Sequence, residues 1–487
     1  MKRESNRRAW FRLSLALALL TSGGLRAGAQ GGSAAGAQAV LERNVRAHEE
    51  FLASDAMQGR GSGTLFELLA GQYVAAQLRQ FGVEPAGDAD ATGQKTYIQI
   101  VDLTRPTFAN APTLTFGTGA AAQKWTHGQE ILIARVSAVR ATGALQKLGA
   151  SQSPQPGAFV LLGADAVTDP RQLTALARTL WQKGAAAVLV AETPVWRQRW
   201  AAGGARLPQL PAASESAGDA GALVVLNSDA YKTIQQASDG TPLTLEGAPG
   251  AEQRSYTYNA VGVLRGSDPK LASEVVLLTA HMDHLGVAGV EGNQCRAANG
   301  DTICNGADDD ASGVVAVLEL ARVLGAGRRP KRTVYFVTFG SEERGGFGAQ
   351  YFLAHPPVPI NQMIANLEFE MIGRPDPKVE QGTLWLTGYE RSNLGAELAK
   401  QGARLVADPH PEQNFFQRSD NYALARRGVV AHTVSSFGLH PEYHQPGDDL
   451  AHLDIAHMTR AINSMVQPVI WLVNSDFKPA WVEGKKP

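Results

Sequence analysis

Val275, Val276, Leu277 and Leu278 make a short unbroken apolar run, the signature of a strand buried on both faces in the middle of an α/β sheet. Comparable strand-like runs recur at Thr333–Phe339, Met363–Glu370, Leu384–Thr387 and Val429–Val434. Helical spacing lies between them: Val314, Val317, Ala321 and Leu324 fall on one side of a helix, and another helix is predicted near Leu394–Gly402. This alternation predicts an α/β fold, a mostly parallel central sheet with helices on both faces. Ahead of it, Gln38–Phe81 reads as helical, broken by a glycine-rich turn from Ser54 to Thr64. Leu65, Leu69, Tyr73 and Ala76 keep helical spacing there, and Gly82 stands where a C-terminal cap belongs. The turn follows no strand and lacks a Gly-Lys-Ser/Thr ending, so it reads as structural rather than as a phosphate cradle.

From about Pro112 to Gly250 the pattern changes. Ala and Gly dominate, with strand-like runs at Phe159–Leu162 and Ala187–Val190, one helix at Arg171–Lys183, and few residues of catalytic type. A smaller β-rich module inserted between the first helices and the chemical half is the expectation. The predicted organisation is an export signal over 1–29, the first part of the main domain over 30–111, the insert over 112–250, the rest of the main domain over 251–478 and a tail over 479–487. The signal rests on Lys2, Arg3, Arg7 and Arg8 ahead of the apolar Leu13–Leu20 and the small-residue Ala27-Gly28-Ala29 ending. That run is too short for a permanent span, so a periplasmic or secreted location without stable membrane insertion is expected.

Composition changes the picture little: 487 residues, 44% hydrophobic, 19% charged and a net charge of −1 provide no basic field for nucleic acid. Two cysteines, Cys295 and Cys304, both fall in an irregular stretch after the first strand. In an exported chain their simplest fate is a disulfide pinning that loop, since thiolate zinc sites use closer Cys-x-x-Cys spacing.

Chemistry gathers where strands end. His281 and Asp283 follow the first strand, an imidazole with a carboxylate able to orient it. Asp308, Asp309 and Asp310 precede the Val314 helix. One aspartate there would be a cap, but three adjacent carboxylates repel unless a cation neutralises them. Glu342 and Glu343 follow a second strand, Glu370 a third, and Tyr443 and His444 a loop after a fourth. Nitrogen and oxygen donors without thiolates suit zinc or a similar divalent metal.

In AHMDHLG, NGADDDASG, FGSEERGGFGA, EFEMIGR, RSDNYALARRGV and YHQPGDD, in that order, the chain resembles the co-catalytic zinc aminopeptidases, a superfamily that also holds glutamate carboxypeptidases and glutaminyl cyclases. The KGAAAVLVAE segment, Lys183–Glu192, resembles a protease-associated (PA) domain. The resemblance implies His281, Asp309, Glu343, Glu370 and His444 as metal ligands, with Asp309 bridging and the Asp309–Asp310 peptide in cis. It implies Glu342 as the general base and Asp283 as the group orienting His281. Tyr443 would donate to an oxyanion, and Arg418 would shape the substrate pocket. Two zinc ions are expected; Glu370 stands where Asp is commoner, and single-zinc cyclase relatives also use Glu, so one ion is the alternative. The activity implied is exopeptidase cleavage of peptides, foremost of N-terminal residues by metal-activated water. Carboxypeptidase, cyclase and non-catalytic binding readings remain beside it, and oligomeric state is not legible.

Overall fold

The computed structural model describes residues 39–487, apart from 106, 137–139, 149–152, 165–169, 195, 198–220, 252 and 291. The segment read as an export signal, 1–29, lies outside the described residues. No described helix is long and apolar enough to cross a membrane.

A nine-stranded sheet organises the main domain. Its strands are β1 (Glu84–Pro85), β2 (Ile98–Arg105), β3 (Gln253–Leu264), β4 (Val275–His281), β5 (Thr333–Phe339), β6 (Met363–Phe369), β7 (Leu384–Leu386), β8 (Leu405–Ala407) and β9 (Val430–Ser435). Every residue of β4 is buried, as its apolar run predicts, because β5 and β6 flank it in parallel and both faces are covered. β9 extends the parallel core beside β6, and antiparallel pairing is confined to the outer strands. With β5, β4, β6 and β9 all parallel, their carboxyl ends open along one rim of the sheet. Open α/β sheets place ligands at such a rim.

Helices cover both faces. On one side lie α1 (Glu42–Leu52), α2 (Leu65–Gln80), α3 (Gly313–Ala326) and α4 (Ile455–Asn474). α3 is buried nearly all round, pressed between the sheet, α1 and α4. Short helices at Phe347–Ala354 and Asn421–Arg426 cover the other side. α2 begins at Thr64, whose hydroxyl accepts the Phe66 amide at 3.2 Å, and ends before Gly82 in the left-handed region at φ +76°. The predicted stripe is not its packed face: Leu65 is 63% exposed, and the helix packs through Ala70, Gly71, Val74 and Leu78. Small residues let it lie close against Ile98 and Met282, as a methyl at Gly71 would come within 3.3 Å of both.

Residues between Phe108 and Pro249 build a separate eight-stranded sheet with apolar clusters of its own on either face. Chain enters and leaves this unit through β2 and β3, which pair antiparallel from Gln253 opposite Arg105 to Ala260 opposite Ile98.

Candidate metal centre

Each strand of the parallel core delivers one part of a single cluster at its carboxyl end. β4 ends on His281, and β5 is followed by Ser341 in a left-handed turn at φ +54° that carries Glu342 and Glu343. β6 runs into Glu370, whose amide still donates to Val434, before Met371 turns left-handed at φ +52°. β9 leads to the loop bearing Tyr443 and His444, itself at φ +59°. Left-handed backbone at non-glycine residues costs on the order of 1 kcal/mol or more and concentrates at functional sites.

The side chains meet around Asp309. His281 Nε2 lies 3.0 Å from Asp309 Oδ1, while His444 Nε2 lies 3.2 Å from Asp309 Oδ2 and 3.3 Å from Glu343 Oε1. Glu370 and Glu342 line the same cleft. The structure therefore brings His281, Asp309, Glu343, Glu370 and His444 together, and the Asp309–Asp310 peptide is cis. It also adds a residue the motifs did not single out. His284, fully buried, sets Nδ1 at 3.1 Å from Glu343 Oε1 and 3.8 Å from Asp309 Oδ2. Both ring nitrogens of His284, Glu343 Oε1 and Glu370 Oε2 are buried without a hydrogen-bond partner. Orphaned imidazole and carboxylate atoms, with the ligand atoms of His284, Asp309 and Glu343 within 4.8 Å of one another, fit a divalent cation, which would satisfy them.

Electrostatics follow from this crowding. For Asp309, burial pushes its carboxyl upward, but the His281 and His444 imidazoles outweigh it and hold the pKa well below the usual range. Burial and Asp309 oppose ionisation of Glu343, yet His444 and His284 bring it down to about 2. Burial disfavours the charge on His444, whereas Glu343 and Asp309 drive its pKa up to about 11. Burial dominates at Glu370 and raises it, with His281 opposing.

The aspartate triplet divides its labour. Asp309 faces the histidines. Asp310 faces the backbone, accepting the His281 amide at 3.2 Å on one oxygen and the Gly313 and Met371 amides at 3.0 and 3.1 Å on the other. Asp308 accepts the Gly373 amide at 2.7 Å and pairs with His440 Nε2 at 3.0 Å. Asp310 thus plays the capping part and Asp309 the acidic-centre part. A carboxylate far along the chain, Asp448, accepts the amides of Asp308 and Asp309 at 2.8 and 3.0 Å and fixes where the triplet sits.

Asp283 meets His281 chiefly through its main chain. His281 Nδ1 is held by the Asp283 main-chain carbonyl at 3.1 Å, and the carboxylate lies 3.7 Å away. β4 has ended at His281, so strand alternation no longer sets the direction of the Asp283 side chain. Its carboxylate instead accepts the Ser62 hydroxyl and the Glu342 amide.

The glycine-rich turn lies under the centre. Buried Arg60 donates to the carbonyls of Met282 at 2.9 Å, Leu52 at 2.6 Å, Asn305 at 2.7 Å and Gly306 at 2.8 Å. Glu67 accepts the Gly63 and Ser341 amides and the Thr257 hydroxyl. Cys295 and Cys304 form a disulfide with Cα atoms 5.7 Å apart, closing the loop beside this turn.

The cleft is a narrow recess partly open to solvent, with Asp309, Glu342, Glu343, Glu370 and His444 on its lining. Its far wall is aromatic: Trp385, Phe415, Phe437 and Tyr443. Tyr443 stacks on His444 with ring centroids 3.8 Å apart, and Arg418 lies over Phe415 at 4.8 Å. Both line the cleft.

Comparison with known proteins agrees with this arrangement. The model of peptidase family M28 matches residues 259–468. Aminopeptidase YwaD of Bacillus subtilis is 22% identical over 256 residues, 50% of this chain and 52% of its own. Carboxypeptidase Q of Homo sapiens is 32% identical over 131 residues, 26% of this chain and 24% of its own. The matched part thus spans about half the length of these curated relatives or less. Among solved structures, an aminopeptidase from Aneurinibacillus sp. strain AM-1 superposes with a TM-score of 0.52 at 18% identity, covering 90% of this chain and 95% of that one, a likeness of fold. The match to the model of peptidase family M28 takes in every side chain of the centre from His281 to His444.

Proposed function

We propose that the protein is an exported zinc-dependent aminopeptidase that removes N-terminal residues from peptides. The observation carrying this reading is the approach of His281 and His444 to one buried carboxylate, Asp309, at 3.0 and 3.2 Å, with His444 also 3.3 Å from Glu343, whose Oε1 is buried without a hydrogen-bond partner. Asp309, Glu343 and His444 would hold one zinc ion, and Asp309, His281 and Glu370 a second. Bound there, zinc supplies Lewis acidity and lowers the pKa of water.

The chain's own residues do the rest. Glu342, held at the cleft by Asp283, takes the proton from the attacking water and returns it to the leaving amine. The carboxylates Glu370 and Asp309 give the cleft the negative field that a substrate ammonium group needs. Tyr443 donates a hydrogen bond from its hydroxyl to the oxygen that gains charge at the scissile carbonyl. The aromatic wall of Trp385, Phe415 and Phe437 favours an apolar side chain on the residue released. Residues 112–250 are read as a PA-like module beside the catalytic domain.

The second reading, a carboxypeptidase, draws on Arg418, which lines the cleft and could grip a terminal carboxylate. Zinc analysis together with turnover of aminoacyl anilides, free and N-acetylated, separates the readings. Bound zinc with cleavage of free-amine substrates alone is the expected result. Cleavage confined to N-blocked peptides would end the aminopeptidase reading. A single zinc with cyclisation of N-terminal glutamine would replace it by a cyclase.

A further inference from the structure

We infer that His284 is a fourth protein ligand to the ion held by Asp309, Glu343 and His444; the inference rests on the metal reading above and extends it. The ring of His284 is fully buried, and neither nitrogen has a hydrogen-bond partner. Its Nδ1 lies 3.1 Å from Glu343 Oε1 without the alignment of an N–H···O bond. A buried imidazole left so is costly unless something between it and the carboxylate satisfies both.

Distances identify what that is. Zinc binds imidazole and carboxylate at about 2.0–2.1 Å in a tetrahedron, whose edges are therefore about 3.3–3.4 Å. The edges seen here are 3.1 Å from His284 Nδ1 to Glu343 Oε1 and 3.8 Å to Asp309 Oδ2, with 3.3 and 3.2 Å from His444 Nε2 to the same two atoms. The ligand atoms of His284, Asp309 and Glu343 all lie within 4.8 Å of one another, and His444 Nε2 reaches the same two carboxylates at 3.2 and 3.3 Å. The two rings stand 5.9 Å apart at 68°, so neither blocks the other.

The backbone is shaped to hold this ring. The His284 amide donates to the Arg60 carbonyl at 3.1 Å, which ties it to the glycine-rich turn. Gly306, at φ +62°, passes so close that an added Cβ would stand 2.5 Å from His284 Cγ. A side chain there would push the imidazole out of line, so the absence of one preserves its aim.

Closed four-ligand sites retain metal, and catalytic ones keep an open position. His284 therefore makes the Glu343 side the retaining half of the centre and leaves the open position to the side of His281 and Glu370.

Zinc K-edge absorption on the full-length, zinc-loaded protein tests this, because outer-shell scattering counts imidazoles. Three imidazoles in the zinc shells taken together are expected. Two, those of His281 and His444 alone, would overturn the inference while leaving the peptidase reading intact. His284→Ala and His284→Gln, titrated against a competing chelator, should each lose about a hundredfold or more in retention of one ion. Retention within about threefold of wild type in both also overturns it. If either variant misfolds, the wild-type spectrum decides. A wild type that binds no zinc removes this inference and the proposed function together.

Discussion

Asp283 accepts the backbone amide of Glu342 on Oδ1 at 3.0 Å. The residue after the first central strand therefore fixes the main chain of the proposed general base after the second. Both lie in a region without exposure to spare, for Asp283 is wholly buried and Glu342 is 8% exposed. Replacing Asp283 by Ala leaves the Glu342 amide and the Ser62 hydroxyl without an acceptor, at about 1–3 kcal/mol each. The urea midpoint of Asp283→Ala should fall accordingly. Its kcat should fall by about 10–100-fold with KM nearly unchanged, because a displaced base loses its aim more than the substrate loses its contacts. A kcat within twofold of wild type would separate Glu342 from Asp283.

Arg60 makes a second prediction. Its guanidinium joins the end of α1, the loop after β4 and the segment before the aspartate triplet through four carbonyls, so it acts as a buried internal clip. Arg60→Met should cost at least about 4 kcal/mol, since several buried carbonyls lose their donor at once. Arg60→Lys keeps the charge but offers no planar fork, and should recover only part of that loss. Denaturant melts of the two variants check the order; a lysine variant as stable as wild type would show that charge alone suffices.

Much of this was legible because chemistry and periodicity coincide. Val275 to Leu278 had to be buried on both faces, and the motifs that follow each strand end had to share a rim, so the convergence of His281, Glu343, Glu370 and His444 follows from the order of elements. The disulfide was readable from two cysteines in one loop. The direction of Asp283 was not, because β4 stops at His281 and alternation stops with it. His284 was passed over for the same reason: beside an already chemical pair, its aim is decided by Arg60 and Gly306, which sequence spacing does not connect to it. Asp448 and Glu67 act on amides far along the chain, and no local pattern encodes such a partner. The α2 stripe was only partly informative because Tyr73 packs on Phe51 while Leu65 and Leu69 remain exposed among the described residues.

His432 gives a pH dependence of stability away from the centre. Its Nδ1–H donates to the Thr387 carbonyl at 2.7 Å and its Nε2 accepts the Ser392 hydroxyl at 2.7 Å, which leaves no place for a second proton. Burial lowers its pKa to about 4. The unfolded chain, with an ordinary value near ~6.5, binds the proton first, so stability rises with pH through this window. Folding free energy from His432 is fully present above pH ~6.5 and is lost as pH falls towards about 4, by about 3 kcal/mol. Urea melts from pH 7 to 4.5 should show this slope, and His432→Gln should flatten it. An unchanged slope in the variant would place the acid sensitivity elsewhere.

Tyr443 makes the last prediction, on rate rather than stability. Burial and the Asp309 and Glu343 carboxylates push its hydroxyl well above the ordinary tyrosine range. It therefore remains a proton donor across the whole working pH range, and its stacking on His444 fixes the ring without consuming the hydroxyl. Tyr443→Phe keeps the stack and removes only the donor. If that donor serves the charged oxygen of the reacting carbonyl, kcat should fall by about a hundredfold, equivalent to about 3 kcal/mol, with zinc content unchanged. The alkaline limb of the pH–rate profile should stay where it is, because a group that does not ionise in that range cannot set it. A limb that moves in the phenylalanine variant would mean that Tyr443 titrates during turnover, and would reassign it from hydrogen-bond donor to acid–base group.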